Sequence, residues 1–86
     1  MKNQNDIFLN NLPSIDLHGM NRYEAKVKID YFILENKKLN NHLIAIVHGK
    51  GSGVLKTCVQ NILKENKNVK AFKINIYNDG ETIVEI

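Results

Sequence analysis

The sequence of 86 residues contains no tryptophan, one proline and one cysteine. A single cysteine cannot build a disulfide framework, which is typical of proteins in a reducing compartment. That residue, Cys58, lies in the apolar phase of a helical pattern, so a core thiol is expected rather than a nucleophile. No apolar run is long enough to span a membrane, and residues 1–6 lack the apolar core of a signal peptide. These absences predict a cytoplasmic domain with no membrane partner.

The residues that are present predict one small globular domain. The length leaves room for a single core, and an apolar fraction of 43% is enough to form it. The net charge of +3 is a weak indication of a polyanionic partner. Aromatic residues make up only 7% of the chain and fall mostly in helical or strand patterns, which argues against broad stacking of single-stranded nucleic acid.

A glycine-rich segment, residues 48–53, is the feature around which the chain is organised. It follows the apolar run 43–47 and precedes a helical pattern that begins at Val54. Helix starts attract anions through unpaired N–H groups, and glycines let the backbone approach a ligand closely. Lys50 adds a positive charge, and His48 adds a side chain that exchanges protons near neutral pH. The spacing fits neither the P-loop nor the dinucleotide fingerprint, so we expect another kind of phosphate cradle, with a ligand-free tight turn as the alternative.

A second strand–glycine–helix pattern occurs near the start of the chain. Residues 14–18 alternate in polarity, so Asp16 and His18 are expected side by side on one face of a strand that Gly19 ends. A carboxylate beside a histidine can stabilise the charged ring or hold one neutral tautomer. The alternative is a polar strand face that is open to solvent.

The first helix is predicted over residues 22–36, after a capping pair formed by Asn21 and Glu24. It carries two apolar stripes separated by charges. The first stripe is expected to face the sheet and consists of Ala25, Ile29, Phe32 and Ile33. The second, called here the outer stripe, consists of Tyr23, Val27, Tyr31 and Leu34. We expect the extension 1–13, with its apolar cluster 7–9 and Leu12, to cover the outer stripe, so that the protein is a monomer. Weak homodimerisation through this stripe is the alternative.

The remaining elements follow from periodicity and turn residues. Strands are predicted over 42–47, 69–77 and 82–86, a second helix over 54–66, and a hairpin turn at 78–80. Phe72, Ile74 and Ile76 are expected to point inward. In the order β-α-β-α-β-β, a right-handed crossover makes the first two strands parallel. Ligands in such sheets bind beyond the carboxyl ends of parallel strands, where both glycine turns are expected.

Three motifs in this order resemble the Smr (small MutS-related) domain family. Residues 15–19 read Ile-Asp-Leu-His-Gly, similar to the family's Leu-Asp-Leu-His-Gly; residues 48–53 match His-Gly-x-Gly-x-Gly; residues 80–86 are similar to the closing Gly-x-Thr-x-Val-x-Leu. The resemblance covers residues 14–86, taken as one Smr-like domain. It implies a compact two-layer α/β sandwich with a mixed four-stranded sheet, similar to the C-terminal domain of translation initiation factor three. It also implies nucleic-acid processing, since family members nick DNA or cleave RNA.

The resemblance assigns roles to particular positions. Its first two motifs place Asp16, His18 and His48 in a catalytic site. Nucleic-acid-binding positions are expected at the glycine turns and helix starts: Gly19, Arg22, Lys26, Gly49, Lys50, Gly51, Ser52, Gly53 and Lys56. The favoured interpretation is an endonuclease in which the glycine turn holds a phosphate while His18 and His48 act as acid and base, with no metal or other cofactor.

Two other interpretations stay open from the sequence. The domain could bind DNA or RNA without cutting it, because an electrostatic grip needs no proton transfer. Alternatively, Asp16, His18 and His48 could hold a divalent metal ion, although a fourth ligand is not evident. Many relatives have a longer loop before the last strand, whereas here residues 78–79 are nearly all of it, so the substrate contacts of such a loop are not carried over.

Overall fold

The computed structural model describes residues 11–51 and 53–86. Its elements follow the predicted order β-α-β-α-β-β. The strands are β1 (Ser14–Asp16), β2 (Leu43–Val47), β3 (Ala71–Asn75) and β4 (Asn78–Glu85), and the helices are α1 (Arg22–Lys38) and α2 (Val54–Glu65). Both helices begin at the predicted residues, and their ends differ from the predictions by one or two positions because helix ends are weakly specified by sequence. Neither helix of the described residues is long and apolar enough to cross a membrane.

The four strands form one mixed sheet in the order β1-β2-β4-β3. β1 is parallel to β2, whereas β4 is antiparallel to both of its neighbours. β3 therefore runs parallel to β2, and both crossovers cross the sheet in the same direction. Right-handed crossovers of this kind place both helices on one face of the sheet. The result is the two-layer α/β sandwich that the resemblance to the Smr family implied.

The core lies between the helices and one face of the sheet. Its fully buried apolar side chains include Leu17, Ile29, Ile33, Ile44, Ile46, Val59 and Val84. The first stripe of α1, which was predicted to face the sheet, is confirmed. Asn36 extends it as a buried polar residue that the sequence did not indicate. The Asn36 amide donates to the Phe32 carbonyl, and its oxygen accepts from Asn41, both at 2.9 Å. These bonds compensate for the burial of the amide.

The outer stripe of α1 is exposed. The side chain of Tyr23 is 72% accessible and that of Tyr31 is 69% accessible, and Val27 and Leu34 are exposed as well. The cluster 7–9, which was predicted to cover this stripe, lies outside the described residues. Its position therefore stays a prediction.

The hairpin between β3 and β4 differs from the sequence prediction. The turn is at residues 76–77, and residues 78–80 belong to β4 instead of forming the turn. The Asn75 side chain accepts a hydrogen bond from the Tyr77 N–H at 2.9 Å. This bond forms the turn two residues before the predicted position. Ile76, predicted to point inward, is consequently 81% exposed. The strand register shifts at Asn75, so β4 carries a bulge at its start.

Candidate nucleic-acid interface

β1 and β2 end side by side, which brings both glycine turns to one edge of the sheet. Asp16 pairs with Val47 in register, and the Leu17 N–H donates to the Val47 carbonyl at 2.9 Å. His18 and His48 each follow this bonded pair directly. Because β1 ends at Asp16, His18 lies in the turn and not beside Asp16 on a strand face, so that prediction was wrong. The arrangement is the one that a right-handed crossover between parallel strands predicts.

The first turn is held by bonds between side chains and backbone. The Asp16 carboxylate accepts from the His18 N–H at 2.8 Å, and Gly19 adopts a φ of +78°, which favours glycine. The predicted capping box is present: Asn21 accepts from the Glu24 N–H at 2.9 Å, and the Glu24 carboxylate accepts from the Asn21 N–H at 3.0 Å. Residues of the capping box therefore accept hydrogen bonds from some of the backbone N–H groups that the start of α1 would otherwise leave unpaired.

The second turn leaves its helix start open. Gly49 and Gly53 have φ values of +85° and +89°. Gly53 is the N-cap of α2 and, because it has no side chain, provides no capping bond. The first turn of α2 also contains no acidic residue. The positive end of this helix is thus uncompensated by its own residues and suited to an anion.

A cleft of about 360 Å³ lies between the two helix starts and the glycine turn. Six of the predicted site residues line it: Arg22, His48, Gly49, Gly51, Gly53 and Lys56. Five others do not contribute to its walls: Asp16, His18, Gly19, Lys26 and Lys50. Ser52 lies outside the described residues. The half-buried Cys58, expected to be a core thiol, packs against the core and also reaches the cleft wall.

His48 is buried, with 7% of its surface exposed, whereas His18 is exposed. The Nδ1 atom of His48 lies 3.0 Å from the Gly49 carbonyl oxygen, and Nε2 lies 2.8 Å from the Thr82 hydroxyl. Because a carbonyl only accepts, Nδ1 carries the proton of the neutral ring, and Nε2 accepts from Thr82. Both ring nitrogens are engaged within the protein. A two-histidine reaction therefore requires His48 to give up one of these bonds.

Residues of β4 hold the glycine turn in place. The Gly80 carbonyl accepts from the N–H groups of both His48 and Gly49, each at 2.9 Å. A Cβ at position 80 would lie 3.1 Å from Cγ of Lys50 and 3.2 Å from the Gly49 carbonyl carbon, so the close approach favours glycine. Sequence reasoning assigned no site role to Gly80 or Thr82. Their place in the third motif was the signal that could have indicated one.

Two of the predicted lysines are paired with carboxylates instead of lining the cleft. The Nζ atom of Lys50 lies 3.7 Å from the Asp79 carboxylate. Lys26 donates to Asp30 at 2.6 Å, and this hydrogen bond raises the pKa of the Lys26 ammonium. Exposed pairs of this kind are weak. They still offset part of the charge that these lysines would offer to a phosphate.

Arg22 connects the cleft to the outer stripe of α1. Its guanidinium carbon lies 5.3 Å from the centroid of the Tyr23 ring, and Nη2 donates to the Tyr23 hydroxyl at 3.4 Å. This hydrogen bond raises the pKa of the guanidinium, which stays charged. An exposed aromatic ring thus lies beside a cation of the cleft wall.

The three residues that were considered as metal ligands, Asp16, His18 and His48, are not grouped around one point. Within residues 11–51 and 53–86, no three or more His, Cys, Asp or Glu side chains are grouped to hold a metal ion. His48 bonds Thr82 on the side of the sheet that faces the helices, whereas Asp16 is exposed and bonds the His18 backbone. These three residues therefore do not form the three-ligand site considered from the sequence.

The uncapped start of α2 lies at the carboxyl edge of the α/β sheet, which is where ligands of such sheets commonly bind. Residues 15–86 match the family described as the Smr domain. The chain belongs to this family, as its three motifs predicted.

Several relatives are similar over the same region. The endonuclease MutS2 of Clostridium beijerinckii is 37% identical over 82 residues, which is 91% of this chain and 10% of that protein. The endonuclease MutS2 of Clostridium acetobutylicum is 34% identical over 73 residues, covering 85% of this chain and 9% of the relative. This chain therefore spans about a tenth of the length of the curated relatives it matches.

Two solved structures share the fold. The Smr domain of Thermus thermophilus MutS2 superposes with a TM-score of 0.82 at 27% identity, covering 86% of this chain and 96% of that one. YdaL, a stand-alone small MutS-related protein from Escherichia coli, superposes with a TM-score of 0.79 at 21% identity, covering 85% and 63%. The similarity to YdaL, at 21% identity, concerns the fold alone. Together they confirm the predicted fold class.

Proposed function

We propose that this domain binds the phosphodiester backbone of DNA or RNA in the cleft and cleaves it as an endonuclease. The observation that carries the proposal is the cleft between two helix starts, one of which has no cap or acidic residue of its own. The similarity to proteins named endonuclease MutS2 supports this class of reaction.

The binding step rests on charge and on backbone access. Arg22 from α1 and Lys56 from α2 line the cleft and supply positive charge from both helices. A Cβ at position 51 would meet nothing within 4 Å, so Gly51 leaves the space in front of the turn open to a phosphate. The same groups would stabilise the additional negative charge of the transition state.

Proton transfer is divided between the two histidines in this proposal. His18 does not line the cleft, but it is exposed at the same end of the sheet, and in this proposal it acts on a reacting oxygen that extends beyond the cleft wall. Asp16 holds the backbone of its turn. His48 fixes the shape of the glycine turn and exchanges a proton with a reacting group only when it gives up one of its two ring hydrogen bonds. In RNA the 2′-hydroxyl attacks phosphorus and gives its proton to one histidine, the P–O5′ bond breaks, and the other histidine protonates the leaving 5′-oxygen. In DNA a water molecule attacks in place of the 2′-hydroxyl.

The proposal is tested by incubating the purified protein with end-labelled RNA and DNA, with and without EDTA. We expect cleavage that survives EDTA, that is abolished in His18→Ala and that is reduced in Lys56→Ala. His42→Ala is the matched control, because His42 is an exposed histidine whose carbonyl accepts from Ile86 at the opposite edge of the sheet. Full cleavage by His18→Ala would contradict the assigned role, and loss of cleavage in EDTA would contradict the metal-free reaction.

Binding without cleavage is the second candidate function. It is favoured by the geometry of His48, because a ring with both nitrogens engaged is better placed to hold a turn than to transfer a proton. Retained binding of labelled nucleic acid, together with no cleavage of single strands, duplexes or branched substrates, would select this function.

A further inference from the structure

The aromatic ring next to the cleft points to a substrate class. We propose that Tyr23 is a stacking platform for one base of a single-stranded nucleic acid whose neighbouring phosphate lies in the cleft. This inference rests on the proposed binding function and deepens it, because it distinguishes single strands, loops and ends from regular duplex.

The platform is built from two consecutive residues at the start of α1. Arg22 lines the cleft, and its guanidinium lies 5.3 Å from the ring centroid of Tyr23. Tyr23 is 72% exposed, so a base can reach its side chain. A phosphate held by Arg22 therefore places the adjoining base within reach of the ring. Bases stack on aromatic side chains without regard to sequence, whereas bases inside a duplex already stack on one another.

The spacing of the tyrosines along α1 limits stacking to a single base. Tyr31 lies on the same stripe and is 69% exposed, but it follows Tyr23 by eight residues, which is ~12 Å along the axis. A dinucleotide bound at the cleft reaches Tyr23 and not Tyr31. The small number of aromatic residues agrees with a contact to one base rather than with broad stacking.

A second copy of the chain fits the outer stripe less well. Two tyrosines contribute about 150–250 Å² each when fully buried. With Val27 and Leu34, the stripe still falls short of the roughly 800 Å² per partner of a standard interface. The charged pair of Lys26 and Asp30 also lies on this exposed side of α1. Nucleic acid matches the cationic cleft with which the stripe is continuous.

The first experiment compares three variants, Tyr23→Leu, Tyr23→Phe and the matched control Tyr31→Leu. Their affinities for a 5′-phosphorylated dinucleotide, as DNA and as RNA, are measured by NMR titration. We expect Tyr23→Leu to weaken binding by about five- to 150-fold. Tyr23→Phe and Tyr31→Leu should stay within about twofold of the parent protein. In the parent, the ring protons of Tyr23 should shift upfield on binding.

The second experiment measures affinities for a single-stranded oligonucleotide and a blunt duplex of equal length. Tyr23→Leu should weaken single-strand binding and leave duplex binding unchanged, whereas Lys56→Ala should weaken both. If Lys56→Ala weakens both ligands and Tyr23→Leu weakens neither, the stacking inference is wrong and the cleft proposal stands. If Lys56→Ala weakens neither, the cleft proposal itself fails. Sedimentation of free Tyr23→Leu as a monomer, beside a dimeric parent, would overturn the inference in favour of a dimer face.

Discussion

The Nε2 atom of His48 lies 2.8 Å from the Oγ1 atom of Thr82, and both side chains are buried. This contact joins the end of β2 to the middle of β4 across 34 positions of sequence. Together with the bond from Nδ1 to the Gly49 carbonyl, it fixes the ring and the first peptide of the glycine turn. The glycine turn in the wall of the cleft is therefore held in part by the Thr82 hydroxyl of the neighbouring strand β4.

Removal of that hydroxyl should destabilise the domain. We expect Thr82→Val to lower the free energy of unfolding by about 1–3 kcal/mol, because Nε2 of His48 is then buried without the partner it now has. Thr82→Ser keeps the hydroxyl and should cost less. Urea unfolding followed by circular dichroism measures both changes. A larger loss for serine than for valine would show that packing of the methyl group, and not the hydrogen bond, is what matters.

Substitutions at Gly51 and Gly53 should distinguish the effect of backbone strain on stability from the effect of a blocked cleft on ligand binding. Gly53 has a φ of +89°, so Gly53→Ala should cost roughly 1–2 kcal/mol of stability. Gly51 has no positive φ and faces open space, so Gly51→Val should change stability little while it obstructs the cleft. Thermal unfolding and nucleic-acid binding, measured on both variants, test this division. Normal binding by Gly51→Val would show that the phosphate does not approach the turn.

Lys56 should act as a phosphate contact. Lys56→Ala is expected to weaken all nucleic-acid ligands similarly and to lower the salt slope of binding by about one unit. Lys64→Ala is the matched control, since Lys64 is exposed in the last turn of the same helix. Affinity measured between low and high salt gives both slopes. An equal effect of the two variants would point to overall charge instead of a local contact.

Asp79 should weaken binding by pairing with Lys50. Asp79→Asn removes the carboxylate 3.7 Å from the lysine and should strengthen binding by about two- to fivefold, the range expected for an exposed pair. In the double variant that also carries Lys50→Ala, this gain should disappear. A gain that persists without Lys50 would assign the effect of Asp79 to direct repulsion of the ligand.

The fold was predictable because its signals are local. The helical spacing of Ala25, Ile29 and Ile33 and the capping pair at the start of α1 acted as predicted. The hairpin was not predictable in the same way. Residues 78–80 carry the strongest short turn signal in the sequence, yet Gly80 is needed against the glycine turn, and the Asn75 side chain closes the chain earlier. A tertiary contact overrode a local preference.

The candidate site was predictable as a region and not as a set of contacts. The glycines and helix starts lie at one edge of the sheet, as right-handed crossovers between parallel strands require. Which cations line the cleft depends instead on contacts between residues that are distant in sequence. Lys50 stands among the glycines in sequence, whereas the bulge of β4 brings Asp79 to it. Periodicity also revealed the outer stripe without indicating that Tyr23 would stay exposed beside Arg22.

β4 is the last strand in chain order but lies between β2 and β3 in the sheet. Residues up to 75 include both strands of the β1–β2 pair but no strand that pairs with β3 in the sheet. Gly80 and Thr82 both lie in β4, so the glycine turn gains its supporting hydrogen bonds only when this strand inserts. Since ribosomes add roughly 5–20 residues per second, the residues of β4 that support the glycine turn are synthesised about one second or more after the last residue of α2.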